Sequence, residues 1–144
     1  MRLVLDTNVV VSALISRNEV AAPRLLLDAL VDAQFTSVAS RALVDEWHEV
    51  ARRPKVRRYA RLDPADTERL ITRLAELSEL LDPPPSVVPA PDPGDAHLWA
   101  LLACDRTCVL VTGDVLLLEE PFGPERVITP VQGAAVVGAG RWRG

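Results

Sequence analysis

Short apolar runs that stop at polar or acidic residues alternate along this chain with segments of helical periodicity. The first run, Leu3–Leu5, ends at Asp6, and the clearest one, Cys108–Val111, leads through a threonine and a glycine to Asp114. Runs this short and apolar indicate buried strands. Because strands that alternate with helices favour a parallel sheet covered on both faces, we predict a three-layer α/β/α sandwich with a mostly parallel central sheet.

The other elements follow from residue spacing and from capping residues. Helices are predicted at Val9–Ile15, Ala22–Val31, Arg41–Ala51 behind the cap Ser40, Asp95–Asp105, Val115–Leu118 and, weakly, from Pro130. Strands are predicted at Phe35–Val38, Val87–Val88 and Arg126–Ile128. The longest helix is predicted from Pro64 to the prolines that begin at Pro83, with a buried seam of four leucines, Leu70, Leu74, Leu77 and Leu81.

Size and composition fit one ordinary globular domain. The chain has 144 residues, of which 49% are hydrophobic and 25% charged, so we expect a single domain over residues 1–144 with a weakly defined tail from about residue 133. The net charge of −4 means that any contact with nucleic acid must be local. Two cysteines make no disulfide framework, and no apolar run could span a membrane, so a cytoplasmic location is predicted.

Four carboxylates are expected to meet at one edge of the sheet. Asp6 and Asp114 follow predicted strands and Asp95 opens a buried helix, and sites in parallel sheets form beyond the carboxyl ends of strands. Glu46 borders the buried face of its helix, because it lies about 40° from Val50. Alone, Asp95 and Asp114 can be helix caps and Glu46 a rim residue, whereas a charge such as Asp6 directly after a buried strand needs a partner. Together they favour a site for Mg²⁺ or Mn²⁺, which can bind a phosphate oxygen and activate water.

Three motifs, taken in order, resemble the PIN domain, and in particular the stand-alone PIN proteins that act as toxins of toxin–antitoxin pairs. They are LVLDTNV at residues 3–9, DPGD at 92–95 before an apolar helix, and VTGD at 111–114 before three leucines. The resemblance covers essentially the whole chain. It implies a metal-dependent endoribonuclease that leaves a 5′-phosphate, with RNA as substrate, a cognate antitoxin as partner and self-association into a homodimer.

The resemblance also implies roles for individual side chains. The catalytic and metal-binding carboxylates would be Asp6, Glu46, Asp95 and Asp114, with the last more variable. Asn8 and Thr112 would orient a carboxylate or a bound water. The acidic run is thinner than is usual in this family, since Gly94 and Ala96 are neutral, and Asp92 is a weaker substitute ligand. A catalytically silent PIN-fold module that recognises RNA or a protein partner is therefore the alternative.

A short basic segment is the predicted RNA-binding surface. Six of the 16 basic residues fall within ten positions: Arg52, Arg53, Lys55, Arg57, Arg58 and Arg61. The segment follows the helix that carries Glu46, and a local basic patch is what phosphate contacts require in an acidic protein. Tyr59 lies within it and can stack on a base. A solvated helix face is the other reading of such a run, and an antitoxin's acidic tail could use the same patch.

Two other site classes fit the residues poorly. A signalling receiver needs a lysine near the carboxyl end of the sheet, whereas the only lysine, Lys55, lies far upstream in the sequence. A zinc site built from His97, Cys104 and Cys108 has no evident fourth ligand. We therefore expect both cysteines to lie in the core.

Overall fold

A computed structural model describes residues 1–86, 89–119, 122 and 125–143, and the predicted Val87–Val88 strand lies outside these residues. The described strands form one sheet in the order β3-β2-β1-β4-β5, and all neighbouring strands are parallel. They are β1 (Arg2–Leu5), β2 (Thr36–Ser40), β3 (Glu79–Leu81), β4 (Cys108–Val111) and β5 (Val127–Ile128). The predicted three-layer α/β/α class is confirmed.

The helices flank this sheet. They are α1 (Thr7–Ile15), α2 (Ala22–Val31), α3 (Arg41–Ala51), α4 (Pro54–Tyr59), α5 (Pro64–Glu76), α6 (Ala96–Cys104), α7 (Val115–Glu119) and α8 (Pro130–Arg143), with a 3-10 helix at Pro93–Asp95. Ser40 accepts a hydrogen bond from the amide of Leu43, as expected of a cap, and Asp63 accepts one from the amide of Asp66 at the start of α5. Helix α4 was not predicted.

The centre of the sheet forms the middle of the core. The three apolar residues of β1, Leu3, Val4 and Leu5, are fully buried, as expected for a strand covered on both faces. The buried Trp47 of α3 donates a hydrogen bond from Nε1 to the Leu5 carbonyl oxygen at 3.2 Å. This contact fixes α3 against the carboxyl end of β1, which is where the four predicted carboxylates are expected to meet.

The prediction of one long helix from Pro64 to Leu81 is wrong. The helix ends at Glu76, and Glu79–Leu81 is instead the edge strand β3, which pairs with β2 from Val38 to Ser40. The Ser78 Oγ lies 2.7 Å from the Leu74 carbonyl oxygen, at the point where the chain leaves the helix. The last leucine of the predicted seam therefore packs as part of the sheet.

An arginine ties together the amino ends of the strands. Arg2 of β1 forms an ion pair of 2.7 Å with Glu79 of β3 and another of 2.7 Å with Asp105, in the turn before β4. Hydrogen bonds from Thr107 and Arg2 hold the pKa of Asp105 well below its usual value. Arg2 thus offsets part of the negative charge at this end of the sheet.

The two cysteines differ in their surroundings. Cys108 is buried at the start of β4, and burial raises its pKa to about 12. Cys104 is exposed, so the expectation that both cysteines lie in the core is wrong for this residue, which ends α6 on the outer side. Within the described part of the chain, no helix is long and apolar enough to cross a membrane.

Candidate active site

The order of the strands creates a natural site beside β1. After β1 the chain adds β2 and β3 on one side, and later β4 and β5 on the other. Ligands of open parallel sheets bind at such a reversal of strand order, beyond the carboxyl ends of the strands. Asp6 lies at this point, and its amide donates a hydrogen bond to the Val111 carbonyl oxygen at 3.0 Å.

Asp6 is a buried carboxylate held by two polar neighbours. It is 5% exposed, and its Oδ2 accepts a hydrogen bond of 2.7 Å from Thr112 Oγ1 and one of 3.2 Å from Asn8 Nδ2. Burial raises the pKa of Asp6, and the hydrogen bond from Thr112 opposes that rise. The structure thus places both predicted support residues in contact with the carboxylate.

The same two support residues tie the loop after β4 to the start of α1. The amide of Gly113 donates a hydrogen bond to Asn8 Oδ1 at 3.2 Å, and the amide of Asp114 donates one to Thr112 Oγ1 at 3.0 Å. Asp114 in turn accepts a hydrogen bond from the amide of Leu116. This aspartate therefore caps the short helix α7 while it also faces the site.

Glu46 is held through both of its carboxylate oxygens. Thr7 donates a hydrogen bond from Oγ1 to Oε1, and Nε2 of His97 lies 3.2 Å from Oε2. The side chain is 30% exposed, as helix geometry predicts for the border of the buried face, while its neighbours Asp45 and Glu49 are exposed. The hydrogen bond from His97 lowers the pKa of Glu46 more than burial raises it.

Asp95 ends the 3-10 helix and is half-buried. Burial and the charges of nearby carboxylates raise its pKa to about 6; those carboxylates are Asp6, Asp92, Asp114 and Glu46. Such mutual repulsion is the expected result when several acids face one space without a cation between them. Asp92 itself accepts a hydrogen bond from the amide of Gly94, so it caps the 3-10 helix and is exposed.

One open cleft of about 420 Å³ connects these residues. It is lined by Asp6, Thr7, Asn8, Val11, Glu46, Glu49, Val50, Arg53, Asp95 and Asp114. All four predicted acids therefore face a single space, while the weaker candidate Asp92 is not among the lining residues. Within the described residues, no lysine or arginine forms an ion pair with any of the four acids.

The side chains of the cleft match the ligand preference of a hard divalent cation in chemistry but not in spacing. The donors are carboxylate oxygens, which suit Mg²⁺ and Mn²⁺, and the burial of Asp6 without a basic partner leaves a negative charge uncompensated. As placed, no three His, Cys, Asp or Glu side chains of the described residues stand close enough together to hold an ion. The chemistry of the cleft therefore fits a hard divalent cation, while direct ligation by three acids requires the side chains to close around it.

The basic segment does not form a single free surface. Arg52 makes hydrogen bonds of 2.6 and 3.0 Å to Glu68, and Arg61 is half-buried with Nη2 3.1 Å from the Ala13 carbonyl oxygen. Arg53 lines the acidic cleft, 3.6 Å from Glu49. The remaining members, Lys55, Arg57 and Arg58, are exposed, as is Tyr59.

Two residues of the site carry contacts that sequence reasoning did not find. Thr7 directly follows Asp6, and this adjacency was the one available signal for it. For His97 the sequence suggests only the poorly fitting zinc site, and nothing in the sequence pairs it with Glu46, which is 51 positions away. Cys104 and Cys108, the other members of that rejected site, do not line the cleft.

Comparison with known proteins identifies the family. The sequence profile described as the PIN domain matches residues 2–116, a span that includes β1, β4 and all four acids of the cleft. Searches of curated proteins and of solved structures found no significant match. PIN domains are typically nucleases, and those nucleases generally use divalent metal ions. The resemblance drawn from three sequence motifs is thereby confirmed at the level of the family: this chain belongs to the PIN domain family.

Proposed function

We propose that this protein is an endoribonuclease that depends on Mg²⁺ or Mn²⁺. The observation that carries the proposal is the shared cleft, in which four carboxylates from separate parts of the chain face one another. Bringing such negative charges together is unfavourable unless a cation offsets their repulsion. Membership of a family of typical nucleases supports the same conclusion.

The residues that would hold the metal are Asp6, Glu46, Asp95 and Asp114. A bound divalent ion would supply Lewis-acid activation of the scissile phosphate and of the attacking water. Thr112 and Asn8 fix the orientation of Asp6, and Thr7 and His97 fix that of Glu46. Because these carboxylates are already oriented, less ordering is required when the metal and the substrate bind.

The RNA backbone is proposed to enter from the side of α4. Arg53 lies within the cleft itself, where its guanidinium can pair with the phosphate next to the cleaved bond. Lys55, Arg57 and Arg58 are exposed beyond it and can bind flanking phosphates. Arg52 and Arg61 belong to the fold in this proposal, since each already has a hydrogen-bond partner within it.

Cleavage of a mixed RNA pool tests the proposal. The wild-type protein should cleave RNA with Mg²⁺ or Mn²⁺ and stop when EDTA is added, and Asp6→Asn should lose at least about 100-fold in rate. Asp45→Asn is the matched control, because this exposed aspartate lies on α3 next to Glu46 and outside the cleft. Cleavage in EDTA, or full activity of Asp6→Asn, would contradict the proposal.

We further propose that the enzyme is the toxin of a toxin–antitoxin pair in the cytoplasm. The support for this finer role is the resemblance of its three motifs to stand-alone PIN toxins. Induced expression should then arrest growth of a bacterial host, and Asp6→Asn should not. Rescue by a small protein encoded beside the gene would identify the antitoxin, whereas normal growth at full expression of active enzyme would reject the toxin role.

A second candidate is a silent PIN-fold module that binds RNA without cleaving it. The placement of the acids favours this candidate in one respect, because no three of the described acidic, histidine or cysteine side chains stand at metal-binding spacing. Calorimetric titration with Mn²⁺ separates the two. Binding that disappears in Asp6→Asn supports the nuclease, and absence of binding up to millimolar Mn²⁺ supports the silent module.

A further inference from the structure

A second cavity, of about 340 Å³, lies beyond the carboxyl ends of β2 and β3. We call it the proline pocket and define it by Ala42, Asp82, Pro83, Pro85, His97 and Ala100, which are among the residues that line it. His97 connects it to the acidic cleft, since Nε2 of this histidine contacts Glu46. The two cavities are therefore neighbours, joined through the contact between His97 of the pocket and Glu46 of the cleft.

The size and the lining of the proline pocket suit a flat aromatic ligand. Its volume lies at the lower end of the range for small-molecule pockets, roughly 300–1,000 Å³. Ala42 of α3 and Ala100 of α6 are small enough to leave the space open, and Pro83 and Pro85 add rigid apolar walls. An unpaired nucleobase stacks on such surfaces and leaves its polar edge free for hydrogen bonds.

The polar groups of the pocket favour one kind of edge. The Asp82 carboxylate and the Arg41 guanidinium both line the cavity; the carboxylate only accepts hydrogen bonds, and the guanidinium only donates them. Guanine carries two parallel donors, N1–H and N2–H, on its Watson–Crick edge, which match the two oxygens of a carboxylate. Uracil offers the carboxylate only one donor, which lies between two carbonyl oxygens. The Asp82 carboxylate therefore favours guanine over uracil.

We propose that the proline pocket binds an unpaired guanine of the RNA, beside the phosphate that is cleaved in the acidic cleft. The inference rests on the proposed nuclease function and adds a determinant of sequence preference to it. Its location supports the proposal, because His97 lines the pocket and also contacts Glu46 of the acidic cleft.

Binding of the four nucleoside 5′-monophosphates to the full chain in EDTA tests the pocket without any cleavage. In NMR titrations, GMP should shift the methyl signals of Ala42 and Ala100 and bind more tightly than UMP. Ala42→Phe fills the cavity and should weaken GMP binding by about tenfold or more. Ala65→Phe is the matched control, since Ala65 is exposed and is likewise the second residue of its helix, α5.

Asp82→Asn is the second variant, and it applies even if Ala42→Phe fails to fold. It should remove the preference of GMP over UMP, because the amide no longer offers two acceptor oxygens. Equal binding of all four nucleotides by the wild type, or unchanged GMP binding in both variants, would overturn the proposal. Metal-dependent cleavage without GMP binding rejects the pocket alone, and GMP binding without cleavage rejects the nuclease alone.

Discussion

Nε2 of His97, on α6, lies 3.2 Å from Oε2 of Glu46, on α3. Thr7, on α1, donates a hydrogen bond to the other oxygen of the same carboxylate. Three elements of the fold thus determine the orientation of one acidic side chain. In metalloproteins, the loss of a residue that orients a metal ligand typically costs roughly 10–100-fold in metal affinity or activity.

We expect His97→Ala to weaken Mn²⁺ binding and to slow cleavage, each by roughly 10–100-fold, because Glu46 loses a hydrogen-bond donor. His97→Gln, whose amide can donate to the same oxygen, should recover part of both. Calorimetry and single-turnover cleavage measure the two effects. His48→Ala is the control, since His48 pairs with Glu68 away from the cleft; equal losses in the two alanine variants would contradict an orienting role.

Asp6→Asn should stabilise the metal-free protein although it abolishes cleavage. Burial disfavours the charged form of Asp6, and an asparagine keeps an oxygen that can accept the hydrogen bond from Thr112. In EDTA at pH 7.5 the Tm should rise by about 3 °C, which corresponds to roughly 1 kcal/mol. Excess Mg²⁺ should raise the Tm of the wild type only. A lower Tm of the variant in EDTA would show that the buried charge is already compensated.

The raised pKa of Asp95 makes the stability of the metal-free protein depend on pH. This pKa is about 6 in the folded protein against 3.8 for the free side chain, so the folded state binds more protons between these values. The contribution of Asp95 protonation to the stability of the folded state is complete below pH 3.8 and is lost as the pH rises through 6. The substitution Asp95→Asn removes this loss of stability with rising pH. The Tm of the variant minus that of the wild type, in EDTA, should therefore increase from pH 4 to pH 7, and a constant difference would contradict the prediction.

Two exposed arginines should contribute to RNA affinity through charge alone. The double substitution Arg57→Ala and Arg58→Ala should weaken RNA binding and reduce the slope of log affinity against log salt by about 1.4, at about 0.7 per phosphate contact for a single strand. Filter binding at several salt concentrations measures this slope. Arg73→Ala with Arg106→Ala is the charge-matched control on other exposed surfaces. The same slope in both double variants would place the RNA elsewhere.

Local patterns were sufficient to predict the parts of the fold that carry the acids. The strand Cys108–Val111 and the helix Ala22–Val31 have the predicted bounds, because a continuous apolar run and a regular apolar spacing leave few alternatives. Asp6 and Asp114 could be assigned to one edge of the sheet because the carboxyl ends of parallel strands meet there.

Contacts between distant segments were beyond such patterns. Leu80 and Leu81 continue the spacing of helix α5, and only pairing with Val38–Ser40 makes them a strand. The ion pair between Arg52 and Glu68 could not be predicted for the same reason, since it depends on how α3 packs against α5. Periodicity reports which face of an element is apolar, and it does not report which polar side chains meet across two elements.

The arginine at the amino end of the sheet has a consequence for the whole molecule. Arg2 pairs with both Glu79 and Asp105 there, whereas none of the four acids at the opposite end forms an ion pair with a lysine or an arginine among the described residues. The charges that are paired with Arg2 and the charges of the candidate site are therefore separated by the length of the strands. Substitutions at the amino end of the sheet could therefore change the thermal stability of the protein without altering the carboxyl end, where the candidate site lies.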